Sequence, residues 1–423
     1  MKTLHGNVDA HLQCMPFNEL PKTVQDAITI TRQLGIKYLW VDALCIIQDS
    51  KEDFGREVAL MANIYANSTL TIAAEDAPDC SRGIFENLNW PSTAILPLDM
   101  RLPCKNGQKV QTPRCASVSA IPKLVSENEH KRQSILATRG WTLQESVLSP
   151  RMLCYSSSDV KWRCCKTSYT QSLQVIQEPQ WRNRKQTMSI KPGSSGDSTA
   201  NYWVFQTWAG LVADYTSRNL SKPEDTLFAI EGLQNRIAAI LNDVPFVGIW
   251  RDSNFWQSLL WFTRPGVLES DRFHIRCPSW CWASSRSPVG FLTYQHWRYD
   301  ILPELISVDL ESIEKNIHIR GSITLRCHIS PGSILREVDQ KHILKNCKDP
   351  NFPEDESNVW ILKLMRFYKH PDDRRARVPF SIISMLIEKI SPNNMHFRRV
   401  GLVNVIRSEL MNLHHGMEMI QLF

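Results

Sequence analysis

The chain has 423 residues, 43% hydrophobic and 22% charged, ordinary values that exclude a disordered, collagenous or low-complexity polymer. Lys and Arg number 49 against 43 Asp and Glu, and a net charge of +6 is too mild to argue for nucleic acid. At about 150 residues per domain the length suggests two or three domains, and 14 Trp point to large amphipathic contacts.

Met1–Phe17 carries no apolar run followed by a small-residue cleavage site, so no secretory signal is expected. The most apolar stretch, Tyr38–Ile47, is short and interrupted by Asp42, so no membrane span is expected either. Both features predict a cytoplasmic location, where the 12 cysteines stay reduced.

From Leu20 to Leu34 the apolar residues Leu20, Val24, Ala27 and Ile28 recur at helical spacing, with Pro21 at the first turn and Gly35 at the stop. Ile36–Val41 reads as a buried strand closed by Asp42. Phe54, Val58, Met61 and Tyr65 mark a second amphipathic helix, and Ser68–Ala74 a second strand. Helix, strand, helix, strand at this spacing predicts βαβ units and a parallel sheet flanked by helices, with ligands at the carboxyl ends of the strands. Residues 100–135 read as a loop-rich insertion. Arg139–Glu145 opens a short helix that Pro150 ends, and Arg151–Ser156 and Asp159–Cys164 read as two strands joined by a Ser-rich turn.

The run 183–200, with two Gly, one Pro and several Ser, reads as a linker. Helices follow over Trp203–Tyr215 and Asp225–Leu241, and the part from about 292 reads as mixed α+β. In Pro278–Ser284 the two Trp at 280 and 282 would share one face of a strand, which suits packing better than binding.

Three stretches stand out together: Tyr38–Asp49 (YLWVDALCIIQD), Met61–Asn67 (MANIYAN) and Arg139–Glu145 (RGWTLQE). In combination they resemble the fungal heterokaryon incompatibility (HET) domain family. Tyr215–Leu220 (YTSRNL), Pro223–Asp225 and Pro278–Ser284 (PSWCWAS) resemble segments that accompany it. The resemblance implies a HET domain over 1–182 and, after the linker, a helical companion region over 201–291 and a C-terminal region over 292–423. It also implies a role in non-self recognition leading to growth arrest or cell death, with protein partners or self-association. Remote similarity of the family to TIR domains implies a flavodoxin-like parallel sheet. Family members usually begin with a further strand that this chain lacks, so the domain reads as N-terminally truncated.

Some TIR domains hydrolyse NAD with a glutamate on a helix that begins near a tryptophan. That comparison makes NAD the implied substrate, Glu145 the catalytic carboxylate, and Asp42, Gln48 and Trp141 the nucleotide-binding residues. A carboxylate beside an indole suits stabilisation of an oxocarbenium ion at the ribose. From residue types alone, Trp141 instead anchors its helix while Glu145 pairs with Arg139 or Arg151, and Asp42 caps the turn that follows it. Gln48 and Asp49 touch a ligand or cap the helix near Glu52. Glu57 reads as a surface charge. The alternative to an NAD enzyme is a non-catalytic interaction or self-assembling module.

A cysteine nucleophile needs a nearby base. Cys45, among Leu44, Ile46 and Ile47, reads as a buried apolar residue. Cys164-Cys165 and the Cys277/Cys281 pair lack zinc-site partners, so no metal is predicted. Phosphate-loop, dinucleotide and serine-hydrolase fingerprints are absent, and the basic run Lys369–Arg377 reads as a solvated loop.

Overall fold

The computed structural model describes residues 1–85, 94–98, 116–120, 134–157, 159–170, 178–193, 198–252, 254–264, 277–293, 299–314, 318–333, 343–349, 352–353, 355–368, 379–406 and 417–423. Most of the insertion read at 100–135 and the basic run 369–377 lie outside these. The chain divides into two compact units: 1–137 with 149–182, and 138–148 with 183–423.

The first unit opens with a short helix, α1 (Val8–Gln13), and α2 (Lys22–Gln33), the latter where the apolar spacing predicts it. A single turn, α3 (Asp42–Cys45), precedes α4 (Lys51–Ala66). The N-cap of α4 is Ser50, whose hydroxyl accepts the Asp53 amide and satisfies one of the free N–H groups of the first turn. Strand β1 (Thr71–Ala74) follows, and β2 (Ala94–Leu98) pairs antiparallel with β3 (Ala116–Ala120). After α5 (Trp141–Leu148), which folds with the second unit, come β4 (Arg151–Tyr155), β5 (Val160–Cys164) and β6 (Ser168–Thr170).

The sheet runs β1-β4-β5-β6. Its β1–β4 pair is parallel, whereas β4–β5 and β5–β6 are antiparallel. The expected all-parallel flavodoxin-like sheet is therefore present only in that first pair. Ile36–Val41, predicted as a strand, belongs to no ladder. The β-propensity of such a segment expresses how well it fits a paired, pleated surface, and among the described residues no strand pairs with it. Ala73, Met152 and Cys154 bury one face of the sheet, with Leu136 and Trp181 against them. At the end of β1, Glu75 accepts Arg163 at 2.8 Å, and Arg163 also donates to Glu178 at 2.7 Å.

The second unit holds α5, α6 (Pro179–Met188, from Asn183 on), α7 (Ser198–Tyr215) and α8 (Phe228–Leu241). The run read as a linker thus contains the later turns of α6. Next come β7 (Pro245–Phe246), β8 (Ile249–Trp250), the turn α9 (Phe255–Ser258), β9 (Trp261–Thr263) and β10 (Val289–Phe291). Strands β11 (Tyr299–Ile301), β12 (Glu304–Glu314), β13 (His318–Cys327), β14 (Ile329–Pro331) and β15 (Ile343–Lys348) lead to β16 (Val359–Tyr368), β17 (Pro379–Lys389), β18 (His396–Ile406) and β19 (Glu418–Leu422). These nine form one sheet in the order β11-β16-β17-β18-β19-β13-β12, with β14 on β16 and β15 on β18. It is antiparallel except between β18 and β19.

One apolar core joins α5, α7 and α8 to one face of this sheet through Trp208, Trp250, Trp261, Trp280 and Trp282. Trp280 and Trp282 are buried as expected of packing residues, but they project from a turn and a 3-10 helix (Trp282–Ser284) rather than a strand. The reason is their hydrogen bonding. The Trp282 indole donates to Gly248 O at 2.7 Å, and the Trp280 carbonyl accepts Trp261 Nε1 at 2.9 Å. Gly248 has φ of +79°, and a Cβ there would lie 2.5 Å from Trp282 Nε1. Gly248→Ala is therefore expected to destabilise the chain by about 1–3 kcal/mol, read as a lower thermal midpoint.

Candidate functional site

The Arg139–Glu145 motif is built into the second unit. Gly140 lets two backbones meet: its amide donates to Asn219 O at 2.7 Å, and a Cβ at Gly140 would lie 2.4 Å from Leu220 Cδ2. The Asn219 amide returns a bond to Thr138 O at 2.6 Å. Arg218, 7% exposed, donates to Arg139 O at 3.3 Å and to Thr142 Oγ1 at 3.2 Å. Its charge is balanced by Asp214, which accepts Arg218 Nε at 2.8 Å and Arg184 at 2.6 Å.

On α5 itself, Trp141 Nε1 donates to Asp225 Oδ2 at 3.0 Å, and Gln144 Oε1 accepts the Gly232 amide at 2.9 Å. Leu143 and Val147 are buried in the common core. The last carbonyls of α5, at Ser146 and Val147, each accept the buried Lys185 ammonium at 2.8 Å. A cation at a helix C-terminus satisfies the free carbonyls and the helix dipole together. Glu145 is half-buried on this helix, one turn from Trp141.

Asp42 and Gln48 belong to the first unit and share one turn. Asp42 Oδ1 accepts the amide of the next residue, Ala43, at 2.7 Å, but the N-cap of α3 is Val41 and no side chain caps the turn. Gln48 Nε2 donates to Asp42 O and Ile46 O, both at 3.1 Å. Asp49 accepts the His5 amide at 2.9 Å instead of capping α4. Cys45, expected in the core, is exposed on the turn α3. Asp42 and Gln48 are thus brought together in one unit, and Trp141 and Glu145 in the other.

Sequence reasoning did not assign Arg218, Asp225, Asp214, Arg184 or Lys185 to this motif. Arg218 and Asp225 stand in the YTSRNL and PED segments, whose recurrence beside RGWTLQE was the available signal. Arg184 and Lys185 lie in the linker-like run, where composition gave none. Among the described residues no group of three or more His, Cys, Asp or Glu is placed to hold a metal. No described helix is long and apolar enough to cross a membrane.

The family model of the heterokaryon incompatibility protein (HET) matches residues 3–145. That stretch is a HET domain. The match connects it with heterokaryon incompatibility, and it contains the three motifs at 38–49, 61–67 and 139–145. No curated protein and no solved structure matches the chain. The matched stretch thus reaches Glu145 on α5, a helix that belongs to the second unit.

Burial pushes the Asp225 carboxyl above its ordinary value, an effect that the Trp141 hydrogen bond opposes. Trp141→Phe leaves this half-buried carboxylate without its donor and is expected to cost about 1–3 kcal/mol in denaturant unfolding. Asp225→Asn keeps an acceptor oxygen and is expected to cost less than half of that.

Burial alone would also raise Asp214, but the Arg218 hydrogen bond and the charges of Arg218 and Arg184 hold it below the usual carboxylate value. A carboxyl lowered in the folded state adds stability above its unfolded pKa of about 3.9, and this is lost as pH falls through the folded value. The thermal midpoint should therefore drop below about pH 4. Asp214→Asn should lower the midpoint at pH 7 and flatten part of that acid limb.

Proposed function

We propose that the chain is an effector of fungal non-self recognition, promoting growth arrest or cell death, and that its HET domain acts through protein contacts relayed by α5. The observation that supports this is the double membership of α5. It closes the HET domain in sequence, yet it folds with the second unit, and the chain enters and leaves it from the first unit at Ala137 and Ser149. Trp141, Thr142, Leu143, Gln144 and Val147 are all engaged in holding it there. In this reading α5 is the part of the HET-matching stretch through which a partner's effect would reach the second unit.

NAD cleavage is the second reading, with Glu145 as the catalytic carboxylate. It is favoured by the half-buried position of Glu145 on the helix face of Trp141, an environment in which a carboxylate can stabilise an oxocarbenium ion.

Expression in a filamentous fungus, with growth arrest as the readout, separates the two. The relay reading expects arrest to survive Glu145→Gln and to be lost with Trp141→Phe at equal levels of folded protein, and no NAD to be consumed by the purified chain as monomer or forced dimer. NAD consumption that Glu145→Gln abolishes, together with loss of arrest, would replace it with the enzymatic reading.

A further inference from the structure

Strands β7 and β8 are joined by two residues, Val247 and Gly248, with φ of +46° and +79°. Two consecutive left-handed residues are the pattern of a type I′ hairpin turn, where Asn, Asp or Gly is the usual first residue. A β-branched valine is strained there, and the surroundings must hold it. They do so from the PSWCWAS segment. Cys281 Sγ donates to Val247 O and Trp282 Nε1 to Gly248 O, each at 2.7 Å.

The turn held in this way is one wall of a cleft of about 320 Å³, within the range of small-molecule sites. Across from it, α8 presents Glu231, Gln234 and Asn235, at the i, i+3, i+4 spacing that puts three side chains on one helix face. The remaining walls are aliphatic and include Leu227, Leu310 and Ile319. Gln234 is only 8% exposed, and its amide has no hydrogen-bond partner among the described residues. Glu231 likewise has no cation beside it there, and burial pushes its carboxyl above the ordinary value.

We infer that this cleft binds a small amphipathic cation, an ammonium or guanidinium group carried on an apolar body. Among the described residues that line it, the only charge is the Glu231 carboxylate, which repels anions and gains most from a cation that replaces the water it has lost. The Gln234 and Asn235 amides supply further acceptor oxygens for the donor-rich head, and the leucine and isoleucine walls take the body. The inference is independent of the role of α5.

Two probes share one body and differ in charge: tryptamine and indole-3-propionate. By calorimetric titration of the full chain, tryptamine is expected to bind and indole-3-propionate to show no binding. Glu231→Gln should weaken tryptamine at least tenfold, with an unchanged near-ultraviolet circular dichroism spectrum showing that the fold persists. Leu310→Ala, which trims an apolar wall, should weaken it by about threefold. Equal binding of the two probes, equal binding by wild type and Glu231→Gln, or no tryptamine binding up to millimolar concentration would overturn the inference.

Discussion

The buried Arg218 guanidinium is the constraint on which the arrangement of this chain most depends. A charge 7% exposed is costly unless every part of it is answered, and here Asp214 neutralises it while Arg139 O and Thr142 Oγ1 take a further donor. Asp214 in turn accepts Arg184, so α6 and α7 meet at one carboxylate while the start of α5 is held by the guanidinium that it balances. Removing either partner leaves an unanswered charge in the interior, whereas an apolar pair of the same shape would be tolerated. The network therefore specifies which segments meet more than it adds to net stability.

Around it, stability comes from apolar burial. Five of the largest fully buried side chains are Trp, at 208, 250, 261, 280 and 282. Trp208 and Trp250 meet edge to face at 5.4 Å, and the Arg399 guanidinium lies 3.6 Å over the Trp261 ring while it donates to Leu259 O at 2.8 Å. Each indole brings a large apolar area together with one N–H, so Trp261 and Trp282 can fill the core and also bind a backbone carbonyl. This is how PSWCWAS holds a turn as strained as Val247-Gly248. A smaller aromatic ring would pack but would leave the turn unheld.

Much of the local structure was legible in the sequence. The helices α2, α4, α5, α7 and α8 and the strands β1, β4 and β5 lie where periodicity and turn residues put them, because those signals act over a few residues. The reading failed at Ile36–Val41, which has the composition of a strand but pairs with no described strand, and at 183–188, where a polar run is helical and Lys185 and Arg184 find buried partners far away in the chain. The candidate residues show the same division. The bond between Asp42 and the amide next to it is local, whereas the Trp141–Asp225 bond spans 84 residues and was not anticipated.

By itself, then, the sequence determined the motifs, the family of residues 3–145 and the types of most elements in the N-terminal two thirds, since each rests on short-range spacing or on a recognisable run of residues. Only the tertiary structure decided that the Arg139–Glu145 helix folds with the second unit. It alone showed that the four-stranded sheet of the first unit is mostly antiparallel, and that Glu231, Gln234 and a strained turn line one cleft. Those outcomes depend on which distant groups answer a buried charge, an open backbone edge or an apolar face, and no local pattern encodes that choice.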